Sequence, residues 1–170
     1  MSDKKIQVTR EEFAKVLCYW LCTVTTEKEI KKKSKDFGFR IRNKDDLYKI
    51  HSELLIFNMW LIVYTCEALI YDEKKCNECL DMFHRIVYRD FYKKEREFGD
   101  WMHFVFQKYQ QYYAARETEH PSTPLWVVAK LVSKNVLGES QMDLKLVNVM
   151  TYEALTVEHL GKTIKNYDIE

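Results

Sequence analysis

Residues 54–71 read LLIFNMWLIVYTCEALIY, an almost wholly apolar run that Asn58, Thr65 and Glu67 interrupt. It is about as long as a membrane span, so those polar positions and the flanking sequence decide what it is. Upstream, the pattern extends to Asn43, with Leu47, Ile50, Leu54, Leu61 and Ala68 on one face. The far side is apolar too, at Ile56, Met59, Val63 and Ile70. A helix that is apolar all round is normally one with neighbours on several sides. The chain offers no second span, and MSDKKIQVTREE at 1–12 lacks the apolar core of a secretory signal. The run therefore predicts an all-α, single-domain helical bundle of five to seven helices, built around a central buried helix near 44–71.

The composition agrees. One domain over 1–170, with 1–8 as a disordered tail, is of ordinary size for burying its own core. Four glycines and two prolines leave little material for long loops or a many-turned β fold. A net charge of +1 gives no overall pull toward nucleic acid or an anionic membrane. The five cysteines all fall inside helical patterns, which indicates reduced thiols and a cytoplasmic setting.

Outward from the central run, helix boundaries can be placed by their caps. Thr9 with Glu12 forms a capping box ahead of Phe13, Val16, Leu17, Trp20, Leu21 and Val24. Thr26-x-x-Glu29 opens a charged segment, 27–35, that Gly38 ends. A turn at 72–75 is expected to separate the central helix from a fourth, 73–93. The apolar phase runs on through that turn, but one continuous helix would be about 75 Å long, too long for such a domain. A fifth helix covers 96–117, ended by His120-Pro121. Thr123 and Pro124 open a sixth to Leu137, and Ser140 with Asp143 opens the last, to about Ile164.

Several motifs invite a chemical reading that their context weakens. Tyr109, Tyr112 and Tyr113 share a face with Phe98, Trp101 and Val105, so their rings are expected in the core, with their hydroxyls on a partner or an edge. Glu117-x-x-His120 has di-iron spacing, yet it has no second copy and sits at a helix end. Cys76-x-x-Cys79, with His84 beyond, lacks the second ligand pair that a zinc site needs, so buried structural thiols are expected. The run 28–44 carries eight basic and two acidic residues around Phe37 and Phe39, and reads as solvated surface ahead of a phosphate-contacting patch. No metal, cofactor or Gly-rich phosphate loop is implied.

The remaining candidate is polar. His51, Asn58 and Thr65 recur every seven residues along the central helix, and Glu153 falls at the centre of the stripe Leu146, Val149, Met150, Val157, Leu160 and Ile164. A buried carboxylate must be paired, hydrogen-bonded or protonated. Its expected companions are His51, Asn58, Arg116 and a tyrosine hydroxyl, Tyr109 among them, and this set would hold any ligand. The first functional expectation is a non-enzymatic soluble helical protein acting through protein–protein contact or homo-oligomerisation, aided by exposed aromatics such as Trp60 or Trp126. The alternatives are a module for a small apolar ligand anchored on the Glu153 set, and an enzyme built on that set. The net charge of +1 argues against nucleic acid as a partner.

Overall fold

The computed structural model describes residues 5–93, 96–117, 124–138 and 145–170. The chain is an all-α bundle around a central buried helix. Among the described residues there are seven α-helices: α1 (Arg10–Val24), α2 (Glu27–Phe37), α3 (Lys44–Leu69), α4 (Glu73–Val87), α5 (Phe98–Glu117), α6 (Pro124–Leu137) and α7 (Lys145–Lys165). A five-residue π-helical turn, Tyr88–Tyr92, extends α4.

The run quoted at the outset is α3, and it touches each of the other six helices. By length and composition α3 could cross a membrane, but 72% of its apolar window is buried by the protein itself. Trp60, a candidate for exposure on sequence grounds, is fully buried at its centre. Its ring meets Tyr112 at 5.2 Å, Tyr64 at 5.6 Å, Tyr113 at 5.8 Å and Phe57 at 6.0 Å between centroids. Large rings of this kind contribute most per residue to a core, on the order of 3–5 kcal/mol against alanine.

Around that axis α1 packs along α4, α5 along α6, and α6 along α7. The local signals put the ends where they belong. Thr9 Oγ accepts from the Glu12 N–H at 3.2 Å while the Glu12 carboxylate accepts from the Thr9 N–H at 2.8 Å, so the capping box is complete. Asn43 Oδ1 caps α3 by accepting from the Asp46 N–H at 2.8 Å. Gly38 ends α2 in the left-handed region, at φ +78°, which a side chain would resist.

Four expectations need correction. The break after α3 falls at 70–72 rather than 72–75, because Ile70 leaves the helix extended and Asp72 already caps α4. The fourth helix does not run as a regular α-helix to 93, since the π turn interrupts it after Val87. Residues 6–8, assigned to a disordered tail, form strand β1 (Ile6–Val8). It pairs in parallel with β2 (Tyr167–Ile169), Ile6 opposite Tyr167 and Val8 opposite Ile169. The basic run is not uniformly solvated: Lys33 is buried, and so are Phe37 and Phe39. Those two rings face the core and offer nothing for a base to stack on. His120, Thr123, Ser140 and Asp143 lie outside the described residues.

Candidate functional site

The five side chains expected to meet at one site stand in four places. Only Arg116 and Glu153 come together: Arg116 Nη1 donates to Glu153 Oε1 at 2.5 Å, and its guanidinium lies 4.3 Å over the Tyr64 ring. Glu153 has no exposure, and its Oε2 is buried without a hydrogen-bond partner among the described residues. Burial pushes the carboxyl from its ordinary 4.5 up to about 7, with Arg116 acting in opposition.

Asn58 belongs to a different network. Its Nδ2 donates to Leu54 O at 2.7 Å, and its Oδ1 accepts from the Tyr152 hydroxyl at 2.5 Å. Tyr152 in turn accepts from Lys33 Nζ at 2.9 Å, and Lys33 also donates to Val24 O at 2.5 Å. His51 Nε2 stands 3.1 Å from Thr25 O, half-buried, and burial lowers its pKa. Tyr109 pairs with neither group: its hydroxyl stands 3.0 Å from His84 Nε2, while His84 Nδ1 is 2.7 Å from Leu80 O. Burial holds His84 down at about 4.

The tyrosine stripe packs as expected, with the Tyr109 and Tyr112 hydroxyls on buried partners and the Tyr113 hydroxyl on an exposed one. Tyr112 donates to Glu53 Oε1 at 2.5 Å, and Tyr113 to Glu67 Oε2 at 2.5 Å. Glu53 is the buried carboxylate that sequence reasoning passed over. It also accepts from Asn135 Nδ2 at 2.6 Å and from Lys108 Nζ at 2.9 Å, so donors on α5 and α6 converge on one residue of α3. Its only signal in the sequence is a charge on the inner side of an apolar helix. Cys76 and Cys79 are free, buried thiols that desolvation raises to about 11, well away from the thiolate that nucleophilic or metal chemistry uses. No group of three or more metal-ligating side chains clusters among the described residues.

Open space lies elsewhere. Among the described residues, five surface recesses stand out, none lined by Glu153, Asn58, Arg116 or Tyr109, and one lined by His51. Two adjoin along the outer face of α7. A groove of about 530 Å³ runs between α1 and α7, with Val16, Tyr19, Trp20 and Val24 on one wall and Leu155, Thr156 and His159 on the other. A second, of about 470 Å³, lies between α2 and α7. Tyr152 and Leu155 form the divide that both share. Compared with protein-family models, with curated proteins and with solved structures, the chain matches none.

Proposed function

We propose that this is a non-enzymatic helical protein that acts through protein–protein contact, and that its α1–α7 groove pairs with a second copy of the same chain. The observation that carries this reading is a protruding ridge and a recess of like chemistry on one face. Tyr19 is 77% exposed and Leu155 59% exposed, and both border the groove that Trp20 and Val16 line. A two-fold interface is made of one patch facing itself, so each copy must present both halves. Here the ridge and the recess stand side by side.

Charge supports the same occupant. No Lys, Arg, Asp or Glu lines the α1–α7 groove, and His159 is the one histidine among its lining residues. Interface cores are depleted in charge and enriched in aromatics, as this face is. A net charge of +1 sets up little repulsion between copies.

The test is the mass of the native assembly. Light scattering at concentrations up to about 0.1 mM is expected to give twice the chain mass for the wild type. Tyr19→Glu is expected to give the single-chain mass with an unchanged circular dichroism spectrum. A wild-type protein that stays at single-chain mass throughout that range removes the pairing.

A further inference from the structure

Lys33 joins two properties that rarely coincide. It is 8% exposed, yet it lines the α2–α7 groove. Its surroundings also fix which way its hydrogen bonds run. Asn58 donates through Nδ2 to Leu54 O, so its Oδ1 must accept the one hydroxyl proton of Tyr152. Having given that proton away, Tyr152 can only accept from Lys33. The second Lys33 N–H goes to Val24 O. A neutral amine has two N–H groups and one lone pair, so both protons are held and the lone pair is left unused. Glu29 and Asp36 border the groove, but neither makes an ion pair with Nζ among the described residues.

We propose that Lys33 is a nucleophilic amine that condenses with a small uncharged aldehyde or ketone held in the α2–α7 groove, capturing it as an imine. The Nζ lone pair attacks the carbonyl carbon. The carbonyl oxygen gains a proton as nitrogen loses one, giving a carbinolamine. The C–O bond then breaks, the hydroxyl leaves with a further proton as water, nitrogen gives up its second proton, and the C=N bond forms. Amine and carbonyl give imine and water, and no oxidant or reductant takes part. Glu29, on the groove wall, is the group placed to relay the proton to the departing hydroxyl.

Leu155, on the α7 wall, gives an apolar body somewhere to lie, while the α2 wall carries charges of both signs, Lys32 beside Glu29 and Asp36, which favours a ligand without net charge. Desolvation lowers the Lys33 pKa from its ordinary 10.5 to about 8, against the pull of Glu29, so free amine is present near neutral pH. This capture goes beyond the pairing proposed above and does not depend on it, because the α2–α7 groove lies on the other side of Tyr152.

The experiment is reductive trapping of the folded protein with limiting benzaldehyde and cyanoborohydride from pH 6 to pH 10, followed by peptide mapping. At pH 7 Lys33 is expected to be benzylated roughly tenfold faster than the exposed Lys31 and Lys35. Its rate is expected to follow a titration near pH 8. Unfolding in urea is expected to abolish the preference. Lys33→Arg, which keeps the cation and cannot form an imine, is expected to lose the early adduct. Tyr19→Glu is expected to keep it, which separates this result from the fate of the pairing. Labelling of Lys33 no sooner than Lys31 and Lys35 in the wild-type protein overturns the proposal.

Discussion

Glu53 and Glu153 are both carboxylates taken out of water, and their partners make them different residues. Glu53 accepts from Tyr112, Asn135 and Lys108, so its two oxygens are fully engaged. Glu153 has one cationic partner and one bare oxygen. Removing a fully satisfied buried charge leaves its donors stranded, and a stranded buried donor costs more than the bond itself was worth. Glu53→Ala is therefore expected to lower unfolding free energy by about 3 kcal/mol, read from urea denaturation at pH 7. A loss under about 1 kcal/mol would mean that water replaces the carboxylate and that the network is not structural. The sequence marked Glu153 and missed Glu53 for a physical reason. A single charge on a clean apolar stripe is visible by periodicity, whereas α3 is apolar all round and has no clean stripe against which Glu53 stands out. The supposed meeting of His51, Asn58, Arg116, Glu153 and Tyr109 failed on the same ground. Periodicity says which side chains turn inward, and the crossing of helices says which of them meet.

Helix ends behave differently, because their determinants lie within a few residues. The Thr9 capping box, the Thr26 cap and the Gly38 stop all operate where the sequence puts them, and Asn43, where the central pattern begins, caps α3. Asp72 carries the tightest duty of these. Its Oδ1 accepts from the Lys75 N–H at 2.9 Å and starts α4 only three residues after α3 ends, so it enforces the reversal between the two helices. Asp72→Ala is expected to cost about 1 kcal/mol, the usual worth of an N-cap, measured by thermal or urea unfolding. An unchanged midpoint would assign the reversal to core packing alone. The π turn had no such local signal. Lys93 N–H reaches back five residues to Tyr88 O at 2.8 Å, and the widened turn sets both Tyr88 and Tyr92 against Trp101, at 5.5 and 5.3 Å. One inserted residue shifts the helical phase and brings two rings onto a tryptophan of the following helix. The strands β1 and β2 were hidden for a related reason. Three residues carry no period, and their partner lies about 160 positions away.

Across the whole molecule, Glu153 and His84 pull the pH dependence of stability in opposite directions over nearly the same interval. The carboxyl of Glu153 is raised from 4.5 to about 7, so its contribution is fully present below pH 4.5 and is lost as pH rises through 7. The imidazole of His84 is lowered from 6.5 to about 4 by burial, so its contribution is present above pH 6.5 and is lost as pH falls through 4. Between pH 4.5 and 6.5 each contributes a slope of about 1.4 kcal/mol per pH unit, of opposite sign, and the two nearly cancel. Glu153→Gln removes one of them while keeping the shape of the side chain. The unfolding free energy of that variant, relative to wild type, is expected to rise by about 2–3 kcal/mol between pH 4.5 and 6.5 and to level off above pH 7. Groups that titrate alike in both proteins drop out of the comparison, among them His51, lowered in the same sense as His84, and the exposed carboxylate of Glu12. The measurement is a pair of urea denaturation series at half-unit pH intervals. Parallel curves for the two proteins would mean that Arg116 holds Glu153 ionised throughout, with the ion pair outweighing desolvation. Divergence over that interval would mean that the buried carboxyl exchanges its proton near neutrality, with burial outweighing Arg116.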